Sequence, residues 1–227
     1  MDSEQEARVA YDLVAEDYAK LLAGELEKLP LERALLTAFA EQVAGGGGGA
    51  VADIGCGPGR VSGFLAGIGV DVRGVDLSPG MIDVARRDHP GIPFEVASMA
   101  ALPFRDGELA GALAWYSIIH IPQGRQDAVF AEFARVVRPG GRLLLAFQVS
   151  EGGDEDVVRL RQAYGHELDL RTRRQSPARV KKRLAAAGFE LVAELTRERI
   201  APEKSRQAFL LAQRTVDSSA AEAAAAS

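Results

Sequence analysis

The chain is poor in the residues that usually carry redox or metal chemistry. It has one cysteine, Cys56, which excludes an intrachain disulfide, and its three histidines have no cysteine or histidine partners at zinc-ligand spacing. No charge-free apolar run reaches the ~20 residues needed to cross a bilayer. The segment Met1-Asp2-Ser3-Glu4-Gln5-Glu6 is acidic and lacks the apolar core of a secretory leader, so a cytoplasmic protein without a membrane partner is expected. Positive charge is also not in excess. With 27 basic and 32 acidic residues the net charge is −5, which gives no electrostatic footprint for non-specific nucleic-acid binding.

What is present is a core and a loop. A length of 227 residues at 47% hydrophobic composition suits one domain with a mildly acidic surface. The run Val51-Ala52-Asp53-Ile54 reads as a strand feeding Gly55-Cys56-Gly57-Pro58-Gly59-Arg60. Alternate glycines let the backbone turn and approach a ligand without Cβ interference. Asp53, two residues before Gly55, would repel a pyrophosphate but would welcome a cation. The third glycine stands at Gly59 and Arg60 follows it, so the spacing is G-x-G-x-G and not the dinucleotide G-x-G-x-x-G.

Val70 to Val75 reads as a second strand ending at Asp76, after which Ser78 can cap a helix and Pro79 suits its first position. An acid at a strand's carboxyl end can accept both ribose hydroxyls of a nucleoside. Further along, the pattern predicts helices over about 4–44, Gly45 to Gly49 as a flexible connector, strands 51–54, 70–75, 92–96, 110–116 and 142–149, and helices 60–67, 79–88 and 125–137. Strand and helix in alternation imply a mainly parallel sheet with helices on both faces. Ser176-Pro177 opens another helix that ends at Gly188, and two closing strands follow over 189–196 and 207–213. There are no internal repeats.

Taken together, these segments resemble the class I S-adenosylmethionine-dependent methyltransferases. The match runs through Asp53-Ile54-Gly55-Cys56-Gly57-Pro58-Gly59 and Gly74-Val75-Asp76-Leu77-Ser78-Pro79-Gly80-Met81. It continues through Ala101-Leu102-Pro103-Phe104 with Asp106-Gly107, and Arg138-Pro139-Gly140-Gly141-Arg142-Leu143. Tyr11 to Ala19 is similar to the tyrosine-bearing helix that closes over the cofactor in many small-molecule members. The resemblance implies an α/β, Rossmann-like fold with a seven-stranded, mainly parallel sheet, an antiparallel last strand and helices on both faces. An N-terminal helical lid and Gly linker would span 1–50, the methyltransferase core 51–215 and a disordered tail 216–227.

The implied cofactor is S-adenosylmethionine, leaving as S-adenosylhomocysteine. The implied binding set is Tyr11, Tyr18, Asp53, Gly55, Cys56, Gly57, Gly59, Arg60, Asp76, Leu77, Met81, Ser98, Met99, Ala100, Tyr116 and Ser117, with no metal. The family often has an Asp where Ser98 stands, accepting a bond from the adenine amino group; serine brings no charge, which leaves that contact to backbone groups and Met99.

His120, after the fourth strand, is the candidate catalytic residue. Its ordinary pKa lies near working pH, so it could take a proton from the acceptor, or else hold the cofactor's methionine end. Tyr11 and Tyr18 lie seven apart, on one helical face, and read either as a lid or as core. The basic stretch Arg159 to Arg183 reads as a solvated face, with steering of an acidic acceptor as the alternative. His166 reads as a surface histidine, with substrate contact or a base role as the alternative. The expected activity is methyl transfer to oxygen or nitrogen, less readily carbon, of a small-molecule acceptor. A nicotinamide-dependent oxidoreductase and a cofactor-binding protein without methyltransferase activity are the competing readings.

Overall fold

A computed structural model describes residues 3–153 and 155–216. The expected tail lies outside them beyond Val216. The chain opens with two helices, α1 (Ser3–Leu22) and α2 (Pro30–Gly45), joined by a short 3₁₀ turn at Leu26–Lys28. Strands and helices then alternate: β1 (Val51–Ile54), α3 (Arg60–Gly67), β2 (Val72–Asp76), α4 (Pro79–Asp88), β3 (Phe94–Val96) and β4 (Leu109–Trp115). After these come α5 (Gln123–Val136), β5 (Val137–Gln148), β6 (Asp156–Ala163), β7 (His166–Arg174), α6 (Pro177–Ala186), β8 (Phe189–Arg197) and β9 (Gln207–Arg214).

Seven strands form one sheet in the order β3-β2-β1-β4-β5-β9-β8, parallel except that β9 runs antiparallel to both β5 and β8. Central strands buried on both faces need apolar residues at consecutive positions. β5 shows it: Leu143, Leu145 and Phe147 pack with Phe130 and Phe133 of α5 and Val180 and Leu184 of α6. Leu144 and Ala146 point the other way, joining Leu36, Phe39 and Val43 of α2 and Val61 and Leu65 of α3.

Three expectations need correction. The Gly45 to Gly49 connector is pinned, because Arg138 donates to the carbonyls of Gly46 (2.8 Å) and Gly48 (2.9 Å). β5 begins at Val137, not 142: Pro139 and two glycines read as a turn, yet Val137 already pairs with Leu109 across a register shift. The basic stretch holds a β-hairpin, β6–β7, that the pattern concealed. Its strands alternate arginine with small runs of Val and Leu, and only one face meets apolar partners: Leu160, Leu168 and Leu170 pack against Ala7, Ala10 and Tyr11 of α1. An isolated hairpin is marginal in water, so α1 supplies its stability.

α1 is fastened on both sides. Asp12 Oδ1 accepts from the Ser78 hydroxyl (2.6 Å) and from the Gly80 amide (3.0 Å) at the start of α4. Toward the hairpin, Arg171 pairs with Glu6 and His166 with Asp17. α1 and the hairpin thereby cover the carboxyl ends of β1, β2 and β4.

Candidate active site

A cleft opens at those strand ends. Its floor is the loop after β1. The amides of Gly55 (2.7 Å) and Cys56 (3.0 Å) both donate to the Val75 carbonyl, the Gly57 amide donates to Asp76 Oδ2 (2.8 Å), and the Gly59 amide donates to the Cys56 carbonyl (3.1 Å). Pro58 has no N–H. The loop's own donors are therefore spent on holding the loop against β2, and none is left to cradle a phosphate.

Asp76 is the hinge of this arrangement. Its Oδ1 accepts the Ser78 amide (2.9 Å) while its Oδ2 accepts that of Gly57, so each oxygen keeps a lone pair toward the cleft. Burial pushes its pKa up, and the backbone amides of Ser78, Gly57 and Leu77 oppose that rise.

Asp53 is buried at 1% exposure and does not reach the cleft wall. Its Oδ2 accepts from Ser62 (2.7 Å), whereas Oδ1 has no hydrogen-bond partner among the described residues. Burial raises its pKa to about 6, with the Ser62 bond opposing and the nearby Asp76 charge reinforcing. At neutral pH it is an ionised carboxylate one partner short. The folded pKa lies above the unfolded value, so this destabilisation is present above about pH 6 and fades as Asp53 protonates between 6 and about 4. Asp53→Asn should accordingly stabilise the unliganded protein by about 1–3 kcal/mol at pH 7.5 and by little near pH 4, a difference read from thermal unfolding at the two values.

Gly55, Gly57, Asp76, Leu77, Met81, Ser98, Met99, Tyr116 and Ser117 line the cleft, as do Tyr11, Tyr18 and His120. Cys56, Gly59, Arg60 and Ala100 do not. Cys56 packs with Ile82, Ala85 and Phe94, and burial pushes its thiol well above the ordinary value, so it acts as a small space-filler. Gly59 leaves room for the His89 ring and Phe94; a Cβ there would come within 2.8 Å of His89. Arg60 pairs with Glu25. The Ala100 amide bonds the Ser98 hydroxyl (3.2 Å).

Helix α1 brings residues that the sequence did not single out. Glu4, Ala7 and Arg8 line the cleft, and Glu4 Oε1 accepts from the Ser98 hydroxyl (3.2 Å). A carboxylate thus stands at Ser98 after all, delivered from 94 residues away.

His120 does not titrate near neutrality, contrary to the premise of its sequence reading. It is 9% exposed, and burial, aided by the Arg173 charge, lowers its pKa to about 4 against the opposing bond to the Arg171 carbonyl. Nδ1 lies 3.3 Å from that carbonyl, which can only accept, so Nδ1 carries the proton. Nε2 is then the acceptor for the Tyr11 hydroxyl at 2.9 Å. The Tyr11 ring meets Tyr18 edge-on at 5.8 Å and His120 at 5.2 Å.

The arginines of the basic stretch are largely spoken for: Arg159 and Arg161 by Asp169, Arg171 by Glu6, Arg173 by Glu155 and Arg183 by Asp127. That is a paired face. Among the described residues no group of three or more His, Cys, Asp or Glu could hold a metal ion. No helix among the described residues is long and apolar enough to cross a membrane.

Comparison with known proteins agrees with this geometry. A methyltransferase-domain model matches residues 51–141. The methyltransferase GfsG of Streptomyces halstedii is 36% identical over 115 residues, covering 48% of this chain and 41% of that protein. The demethylmenaquinone methyltransferase of Beutenbergia cavernae is 32% identical over 136 residues, 60% of this chain and 55% of that one. The chain thus spans about half the length of the curated relatives it matches. Among solved structures, magnesium protoporphyrin IX methyltransferase from Synechocystis with bound S-adenosylhomocysteine superposes with a TM-score of 0.71 at 20% identity, over 94% of this chain and all of that one. The chain is built on the class I methyltransferase fold, and its residues 51–141 are similar to the methyltransferase domain.

Proposed function

We propose that the protein transfers a methyl group from S-adenosylmethionine to oxygen or nitrogen of a small-molecule acceptor. The observation that carries this reading is the glycine loop with its amides consumed and a carboxylate, Asp76, bonded into it. A pyrophosphate would find no donors there and a negative charge beside it, which counts against a nicotinamide cofactor. A nucleoside bearing cationic groups finds the opposite: Asp76 for its ribose hydroxyls and an under-partnered carboxylate in Asp53 beneath. Leu77 and Met99 offer apolar surface for a base, and Glu4 with Ser98 offers acceptors for an exocyclic amine. The names of the relatives, which include an O-methyltransferase of Penicillium expansum and trans-aconitate 2-methyltransferase of Methylobacterium nodulans, support the activity but disagree on the acceptor.

Once bound, the cofactor supplies an already activated methyl group on a sulfonium whose leaving group is neutral. The chain's task is then positioning and exclusion of water. α1, held by Asp12 on one side and the hairpin on the other, closes the cleft, with Tyr11 and Tyr18 as its inner face. Tyr11 and His120 form the proton path: as the acceptor oxygen bonds carbon, its proton passes to Tyr11 Oη while the Tyr11 proton moves to His120 Nε2.

Because His120 is neutral down to about pH 4, the acid limb of kcat/KM assigned to it should fall near pH 4 and not near 6.5. Tyr11→Phe and His120→Gln should each lower kcat by about 10²-fold. A pH–rate profile with the limb at 6.5, or undiminished turnover in both variants, would remove the pair from proton transfer. Isothermal titration with S-adenosylmethionine, S-adenosylhomocysteine and NAD tests the cofactor directly. Binding of NAD alone would overturn the methyltransferase reading, whereas binding of the two sulfur nucleosides justifies a labelled-methyl acceptor screen.

A further inference from the structure

Aromatic rings are scarce in this chain, yet three of its four tyrosines and its one tryptophan line the cleft. Tyr11, Tyr18, Trp115 and Tyr116 line it, and Tyr164 meets Tyr18 edge-on at 4.9 Å. Two of them are also the described residues, glycine aside, whose φ is positive: Tyr116 at +56° and Tyr164 at +55°. Each conformation is costly for a bulky side chain, and strain of this kind survives where it serves a site. Tyr164 makes the case plainly. With Gly165 (φ +81°) it forms the two-residue turn between β6 and β7, a geometry for which Asn-Gly is the favoured pair. A tyrosine occupies the unfavourable position and its ring lies against Tyr18.

The hydroxyls divide by function. That of Tyr11 is committed to His120, whereas those of Tyr18, Tyr116 and Tyr164 make no hydrogen bond to another described residue. Burial raises the phenols of Tyr18, Tyr116 and Tyr164, so all three stay neutral hydrogen-bonding groups.

We propose that Tyr18 and Tyr116 form the acceptor subsite, with Tyr164 backing Tyr18, and that the acceptor is a planar phenol. The proposal rests on the methyl-transfer reading of the cleft. A flat ring fits edge-on and offset contacts with the tyrosines, and their open hydroxyls bond its polar substituents. A phenol also suits the proton path through Tyr11 better than an aliphatic alcohol, which is a far weaker acid.

The test uses the full-length protein saturated with S-adenosylhomocysteine and two probes of the same outline, 2-naphthol and its saturated counterpart decahydro-2-naphthol, titrated calorimetrically. 2-Naphthol should bind at least tenfold more tightly, since each aromatic pair corresponds to about a two- to twelvefold gain. Tyr164→Asn, which installs the preferred turn pair, should stay folded, hold S-adenosylhomocysteine within about twofold, and lose most of the preference for 2-naphthol. Tyr164→Phe should keep most of it. Equal affinities for the two probes with S-adenosylhomocysteine bound, or a full preference retained by Tyr164→Asn, would overturn this proposal alone. Failure to bind S-adenosylhomocysteine would overturn the methyl-transfer reading as well.

Discussion

Replacing Asp76 with alanine should weaken binding of S-adenosylhomocysteine by about 10²- to 10⁴-fold. Two charge-assisted hydrogen bonds from ribose hydroxyls are each expected to contribute about 1.5–3 kcal/mol, and both go at once. The same carboxylate also holds the Gly57 amide and the Ser78 amide, so its removal frees the loop after β1 and the entry to α4 together. Part of the lost affinity is then the cost of ordering that backbone again when the ligand binds. Asp76→Asn separates the two contributions. Its one carbonyl oxygen can hold one amide or one hydroxyl but not the full set, so its affinity should fall between wild type and alanine. Calorimetric titration of the three proteins gives the comparison. If Asp76→Ala bound S-adenosylhomocysteine as well as wild type, the ribose assignment would be wrong.

The position of Asp76 was legible before any coordinates because it depends on local signals. A β-branched strand, an acid, then Ser78-Pro79 mark where β2 stops and α4 starts, and the Ser78 hydroxyl does accept the Met81 amide at 3.1 Å. β1, α3 and α4 fall at the residues the pattern predicts, since glycine and proline punctuate each end. The β6–β7 hairpin was hidden because one face is solvated and arginine occupies it, so neither period nor composition stands out. Ser176 shows a limit of capping signals: it stands at the N-cap of α6, but its side chain makes no capping bond.

The missed site residues share a different cause. Glu4 and Arg8 are ordinary polar positions on an amphipathic helix, and only the docking of α1 onto α4, through Asp12, and onto the hairpin turns them toward the cleft. The same distance effect governs His120. Its environment is made by Tyr11, Arg171 and Arg173, 109, 51 and 53 residues away, so no reading of its neighbours in sequence could move its pKa from near neutrality to about 4.

A pair of single-methyl variants two residues apart should separate the fold from the ligand site. At Gly55 (φ +75°) a Cβ would fall 2.3 Å from Ser117 Cβ and 2.9 Å from its hydroxyl oxygen, and Ser117 cannot retreat without breaking its 2.7 Å bond to the Ile54 carbonyl. Left-handed strain of about 1–2 kcal/mol, overpacking of about 1–3 kcal/mol and the loss of a buried hydrogen bond add to about 3–5 kcal/mol for Gly55→Ala. For a chain of this size that is a fall in Tm on the order of 10 °C, measurable by calorimetry. Gly57 (φ +54°) is strained in the same sense, but the nearest atom to its Cβ would be Tyr18 Cε1 at 4.0 Å. Gly57→Ala should therefore cost only about 1–2 kcal/mol in stability. The added methyl projects into the cleft, where the loop is meant to meet a ligand as bare backbone, so S-adenosylhomocysteine affinity should drop by at least about tenfold. A Gly57→Ala protein that bound S-adenosylhomocysteine normally would mean that the ligand does not rest on the loop, and the floor of the site would have to be sought nearer Tyr116.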